Sequence, residues 1–262
     1  MSETDEIQYD IRGTAAWITI TRPGASNALS LSAGAGIRDA LSKADSDSSV
    51  CAIVVTGAGD KVFSAGADLK ELPPTRRDPA EAEAYDRLFD ETMSAVDRCR
   101  KPTIARLNGH VVGGGISLAL ACDIRIATDR ARFRVPVARL GFMYTPDQTS
   151  RLVRAIGPSR TKWLVFSSEA ITAGQALEWG LVDQVVPDDA FVGACDNLIN
   201  TICSGAPLTQ KTMKQIINTI DDGTPLDSEQ VTAAYHKVYG SEDLNEGLAA
   251  AAEKRDPVFK GG

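Results

Sequence analysis

Two short stretches of small residues hold the chemistry that this chain could perform. Gly113, Gly114 and Gly115 follow the apolar pair Val111-Val112 and lead into Ile116-Ser117-Leu118-Ala119-Leu120-Ala121, an unbroken run that predicts a buried helix. The first amides of a helix have no intrahelical acceptor, and the aligned peptide dipoles put partial positive charge at that end. With no side chains in the way, a ligand oxygen can come close. Such donors suit an oxygen that turns negative during a reaction, for example a thioester carbonyl becoming an enolate. A glycine run whose only task is close helix packing would read the same way.

The second stretch is Phe63-Ser64-Ala65-Gly66-Ala67-Asp68-Leu69, which follows the apolar run Cys51 to Val55 by a short connection and then meets Lys70-Glu71. A helix is expected to begin near Asp68, with the Asp68 carboxylate accepting its orphan amides and Ala67 turning its own N–H outward. Two small-residue loops, each ending a buried strand, could aim two amides at one oxygen. A dinucleotide site at Gly57-Ala58-Gly59 is the competing idea. The third glycine of the fingerprint is absent, Phe63 falls where a helix should begin, and no acidic residue ends a second strand at the right distance.

The elements that must position these loops alternate between strand and helix. Ala15 to Thr21 alternates as a strand and stops at Arg22-Pro23-Gly24. Ser30 caps a helix whose apolar face is Leu31, Ala35, Ile37, Ala40, Leu41 and Ala44. Cys51 to Val55 reads as a strand buried on both faces. Asp78 to Arg100 reads as a long amphipathic helix with Ala82, Tyr85, Phe89, Met93 and Val96 on one side, and Pro102 to Leu107 and Ile124 to Ala127 as short strands. Thr172-Ala173-Gly174-Gln175 has the form of a capping box, with Gly180 as the stop before a strand from Leu181 to Val186. Beyond Asp188 the pattern is helical: Asp189 to Ser204, Leu208 to Ile220, Leu226 to Tyr239 and Asp243 to Lys254. This gives an α/β core over residues 1–204 and a helical region over 205–262.

Bulk properties limit the choices further. The 262 residues are enough for one large domain or a domain with an appendage, and 43% hydrophobic with 24% charged residues is ordinary for a globular protein. A net charge of -7, without any basic cluster longer than Arg76-Arg77, disfavours nucleic acid. No apolar run is long enough to span a bilayer. The acidic start MSETDEIQYD lacks the order of a secretory signal, so a cytoplasmic location is expected. Five scattered cysteines without CxxC spacing argue against disulfides and against a zinc site.

FSAGADLKE, KPTIARLNGHVVGGGISLALACDIRIA, LGFMYTPDQTSRLVRAIG and ITAGQALEWGLVDQVV together resemble the crotonase, or enoyl-CoA hydratase/isomerase, family over nearly the whole chain. The resemblance implies a spiral of ββα units with a C-terminal helical region that builds trimers or dimers of trimers. It also implies an acyl-CoA thioester ligand, with coenzyme A entering as part of the substrate and no separate cofactor or metal. By position, Ala67 and Gly114 match the two amides of the family's oxyanion hole. Ala65 and the segment Ala67, Asp68, Leu69 and Lys70 match residues that line the thioester and pantetheine. Ala25 lies in the loop that approaches the adenine, and Lys254 matches a basic residue near the CoA phosphates.

The departures from the pattern are informative. Hydratases of the family carry one glutamate two residues after the glycine triplet and another after the proline of a later FGxPE motif. Here those positions are Ser117 and Val137, leaving a hydroxyl near the reacting carbon and an apolar side chain against the acyl group. A positioned acid or base contributes about 10²- to 10⁴-fold in rate, so ordinary hydration is expected to be weak. LGFMYTP is locally similar to methylmalonyl-CoA decarboxylases, which have a tyrosine at the Tyr144 position, although Ala67 stands where they have histidine. Decarboxylation through Tyr144 is therefore one alternative, and acyl-CoA binding without turnover is another. Asp147, His110, His236, Arg134 and Arg139 have ordinary structural readings as surface or turn residues.

Overall fold

The computed structural model describes residues 6–71 and 78–261. Its strands are β1 (Ile7–Arg12), β2 (Ala15–Ile20), β3 (Ala52–Gly57), β4 (Val62–Ser64), β5 (Thr103–Leu107), β6 (His110–Val112), β7 (Ile124–Thr128), β8 (Arg132–Arg134), β9 (Ile171–Thr172) and β10 (Gln184–Val186). They form a six-stranded sheet in the order β1-β2-β3-β5-β7-β10 and a four-stranded sheet in the order β4-β6-β8-β9. All pairs are parallel except the β1/β2 hairpin and β8/β9.

The helices are α1 (Leu31–Ser46), α2 (Pro79–Asp97), α3 (Gly114–Ala121), α4 (Val137–Leu140), α5 (Pro146–Ser167), α6 (Ala173–Trp179), α7 (Phe191–Cys203), α8 (Pro207–Asp221), α9 (Ser228–Tyr239) and α10 (Glu242–Glu253). A long strand, a short strand and a helix recur in order: β3-β4-α2, then β5-β6-α3, then β7-β8-α4. The long strands lie in one sheet and the short strands in the other, so each repeat advances the chain as one turn of an α/β spiral.

Sequence explains why the turns stack. β3 is buried at every position, and its residues alternate between two cores: Ile53 and Val55 face the main core, while Ala52 and Val54 face a smaller one covered by Phe191, Cys195 and Ile199 of α7. Corners between long and short strands are tied by amide side chains. Asn108 donates to the carbonyls of Gly57 (2.8 Å) and Gly59 (2.6 Å), and Asn27 donates to Ala58 (3.0 Å) and Val62 (2.7 Å). The Asn108-Gly109 pair and the Gly57-Ala58-Gly59 turn are thus structural joints.

The capping predictions agree with the fold. Ser30 accepts from the Ala33 amide at 2.9 Å, Thr172 and Gln175 form a capping box, and Gly180 ends α6 in the left-handed region at φ 85°. Of the helix expected to begin near Asp68, residues 69–71 form a turn, and 72–77 lie outside the described residues. Asp68 accepts from the Lys70 amide at 3.0 Å, as a cap would, and pairs with Arg22 at 2.7 Å, which fixes the loop to the end of β2. Among the described residues no helix is long and apolar enough to cross a membrane.

Lys214 of α8 fastens the C-terminal helices to the core. Its buried ammonium pairs with Asp123 at 2.8 Å and donates to the Lys101 carbonyl at 3.1 Å. A neighbouring stripe of α8, with Met213, Ile217 and Ile220, is left exposed.

Candidate functional site

The register of β4 against β6 slips between Val62 and Ser64, a local irregularity that turns the following residues out of the short sheet. From there almost every amide of the loop finds an acceptor. Ala65 donates to the Ser26 carbonyl (3.0 Å), Gly66 to the Ser64 hydroxyl (3.1 Å) and Asp68 to the Leu29 carbonyl (3.0 Å). Leu29 bridges Ala67 in parallel, and that geometry uses the peptides on either side of Ala67 while turning the Ala67 N–H away. It has no acceptor among the described residues.

The glycine loop behaves in the same way. Gly113 donates to the Arg134 carbonyl at 2.8 Å, Ile116 donates back to Gly113 at 2.8 Å, and Gly114 opens α3 with no acceptor for its amide among the described residues. The two free amides are neighbours. A Cβ built on Gly114 would lie 3.4 Å from the Ala67 nitrogen, and one built on Gly66 would lie 2.6 Å from the Gly114 nitrogen. Gly66 has a φ of +85°, the left-handed conformation that lets the loop turn this close to α3.

Both amides open onto one cleft. Ala65, Ala67, Leu69, Gly113, Gly114 and Tyr144 line it, together with Tyr85, Asp86 and Phe89 of α2 and Gln148 of α5. Leu69 and Met143 stand exposed at the rim. The structure thus gathers Ala65, Ala67, Leu69, Gly114 and Tyr144 at one place. Val137 is buried next to Pro136 of the wall, and Asp68 is occupied behind the loop by Arg22. Ala25, in a single 3-10 turn, and the exposed Lys70 and Lys254 lie outside the cleft wall.

Two hydroxyls near the cleft are unsatisfied. Tyr144 is 7% exposed and Ser117 is 2% exposed, and neither hydroxyl has a conventional hydrogen bond among the described residues. Burial pushes the Tyr144 phenol well above its ordinary pKa, and the nearby Ser117 hydroxyl opposes that shift without being aligned as a true hydrogen bond. Tyr144 therefore stays protonated, and can donate but not act as a base.

Tyr85 and Phe89 belong to the apolar stripe that the sequence shows on the long helix, while Asp86, between them in sequence, carries no local signal that it lines a cleft. Gln148 belongs to the α5 capping box with Thr145. Thr145 also donates to Asp90 at 3.0 Å. Burial raises the Asp90 carboxyl to about 6; the Thr145 bond opposes this, while the charges of Asp147 and Asp86 add to it. A carboxyl raised on folding binds its proton more tightly in the folded state, so ionised Asp90 costs stability above pH about 6, and that cost disappears below the ordinary value of 3.8. Asp90→Asn is expected to raise the melting temperature at pH values well above this range and to match the parent at acidic pH, as a series of thermal melts would show.

The remaining candidates have structural roles or stay outside the cleft. Asp147 pairs with Arg151 at 3.1 Å, Arg134 donates to the Ser168 carbonyl at 2.6 Å, and His236 meets the Tyr235 ring edge-on. His110 and Arg139 are exposed. No group of three His, Cys, Asp or Glu among the described residues is placed to hold a metal.

Two mostly parallel sheets wound as a ββα spiral, with small-residue loops converging over an apolar cleft, define a crotonase-fold protein. Comparison with known proteins agrees: residues 10–262 match the family model described as enoyl-CoA hydratase/isomerase. The chain is 34% identical over 255 residues to a short-chain-enoyl-CoA hydratase of Clostridium acetobutylicum, covering 97% of each. The solved enoyl-CoA hydratase/carnithine racemase of Magnetospirillum magneticum superposes with a TM-score of 0.95 at 32% identity, covering 99% of this chain and 97% of that one. An enoyl-CoA hydratase of Bacillus anthracis gives a TM-score of 0.88 at 32% identity, covering 98% and 100%. The chain belongs to the enoyl-CoA hydratase/isomerase family and is an acyl-CoA enzyme of that family.

Proposed function

We propose that the cleft binds an acyl-CoA with its thioester oxygen between the amides of Ala67 and Gly114, and that the enzyme works by stabilising the enolate formed there. The observation that carries this reading is the pair of adjacent, unpartnered N–H groups at the ends of two loops whose other amides are nearly all satisfied. Fixed donors aimed at developing charge need no reorganisation during the reaction, and one of them is typically worth about 3 to 4 kcal/mol. Ala65, Leu69 and the rest of the loop flank the thioester, with Asp68 holding the loop by its Arg22 pair. Lys70 is assigned to the pantetheine arm, and Ala25 and Lys254 to the nucleotide end of the substrate, which extends beyond the cleft.

Ser117 and Val137 supply no carboxylate to this cleft. Water addition across a double bond needs a base for the water and an acid for the α-carbon, so this arrangement favours proton transfer at the carbon beside the carbonyl over hydration. We assign the proton-donor role to Tyr144, whose hydroxyl is neutral and without a partner among the described residues, with Ser117 next to it. The same hydroxyl would suit a malonyl-type decarboxylation, where the carbanion needs only a final proton. That reading stands second because the described cleft wall offers no cationic side chain to a substrate carboxylate. The exposed stripe of Met213, Ile217 and Ile220 fits the packing of further copies of the chain into a trimer or dimer of trimers.

The test is vibrational. Crotonyl-CoA bound to the protein is expected to show its thioester carbonyl stretch at lower frequency than in water, as two donors polarise the bond. Binding with an unshifted carbonyl would remove the amide pair from the mechanism. A shifted carbonyl without turnover of any saturated, unsaturated or malonyl thioester would mark a binding protein.

A further inference from the structure

Tyr144 donates protons, which leaves open what removes one from the substrate. We propose that Asp86, on the cleft face of α2, is the catalytic base that takes the proton from the carbon beside the thioester carbonyl. This assignment rests on the amide-pair reading above.

Asp86 is the only carboxylate among the described residues that line the cleft, and no histidine or lysine lines it. Residues 72–77, LPPTRR, which lie outside the described residues between Glu71 and Asp78, contain neither a carboxylate nor a histidine. The position of Asp86 follows from the packing of α2. Phe89 of that helix lies against Gly114, since a Cβ on Gly114 would fall 2.4 Å from its Cζ atom. Asp86 precedes Phe89 by three residues, so it shares that face and sits about 4.5 Å back along the axis. A carboxylate one turn from the ring that lies against Gly114, in the wall of the cleft that both amides line, is where a base for the carbon beside the carbonyl is needed.

Asp90, one turn further along, accepts from Thr145, and the Gln148 side chain accepts from the Thr145 amide at 3.3 Å. Tyr85, Leu140, Phe142 and Met143 share the cleft lining with Asp86.

The step balances within the site. The α-carbon C–H bond breaks, its electron pair moves into the enolate whose oxygen the two amides hold, and the proton forms an O–H bond on Asp86. Return of that proton to carbon regenerates the carboxylate. If the acid form first exchanges with heavy water, a deuteron is returned instead. No oxidant or second substrate is needed.

Vinylacetyl-CoA in heavy water provides the test, because its α-protons are activated by both the carbonyl and the double bond. The parent protein is expected to incorporate deuterium at the α-carbon, read by mass spectrometry. Asp86→Asn should slow incorporation by about 10²- to 10⁴-fold while leaving the carbonyl shift of the bound thioester intact. Asp86→Glu, which keeps the carboxylate, should recover much of the rate. Exchange at the parental rate in Asp86→Asn overturns the proposal, as does a parent that binds and polarises the thioester but exchanges nothing. Loss of the carbonyl shift along with exchange in Asp86→Asn makes Asp86 a structural residue and overturns it too. Absence of the shift in the parent refutes the amide pair itself and this assignment with it.

Discussion

Gly66→Ala is expected to lower thioester turnover by about 10²- to 10³-fold, the loss typical of removing one oxyanion donor. The new methyl group would lie 2.6 Å from the Gly114 nitrogen and 2.7 Å from the Val112 carbonyl oxygen, so the two loops must separate and the amides can no longer share one oxygen. The backbone at φ +85° adds strain of roughly 1 to 2 kcal/mol for any residue with a Cβ. Gly59→Ala provides the control: its φ is +78°, but a Cβ there meets nothing within 4 Å. Both variants should melt at lower temperature than the parent, and only Gly66→Ala should lose turnover and the carbonyl shift. If Gly66→Ala retained both, the converging loops would not be the reactive element of this protein.

Hydration of crotonyl-CoA is expected to run at least about 10²-fold slower than in a family member carrying both glutamates, assayed side by side. Ser117 is sealed within α3 and Val137 is buried at the start of α4, so neither position offers a carboxylate to a water molecule. Asp86 as a single base can serve the α-carbon, but water addition also requires a group at the β-carbon. Deuterium exchange should therefore outpace hydration on the same preparation. Comparable rates of hydration would show that some other group activates water and would return the chain to ordinary hydratase chemistry.

Much of the fold was legible because its signals are local. The Ser30 and Thr172 caps, the Gly180 stop and the 3.6-residue stripe of α2 each depend on residues a turn apart, and each lies where the pattern put it. Strands of three residues, β4, β6 and β8, are too short to show a period and went unread. Asp68 shows the limit of local signals: one carboxylate oxygen takes the Lys70 amide, as its place before a polar run suggests, but the other is held by Arg22, 46 positions earlier in the chain, which no short-range pattern reveals.

By itself, the sequence determined the family, the alternation of the long strands with helices, the two small-residue loops and the lack of acid at positions 117 and 137, since residue identity and short-range spacing carry all of these. Only the tertiary structure decided that the Ala67 and Gly114 amides are neighbours without partners, that the Tyr144 and Ser117 hydroxyls are sealed in unpaired, and that Asp86 faces the same cleft. These groups come from α2, α3 and separate loops, and an amide's freedom depends on what every neighbouring strand has already taken. That accounting closes only when the spiral is wound.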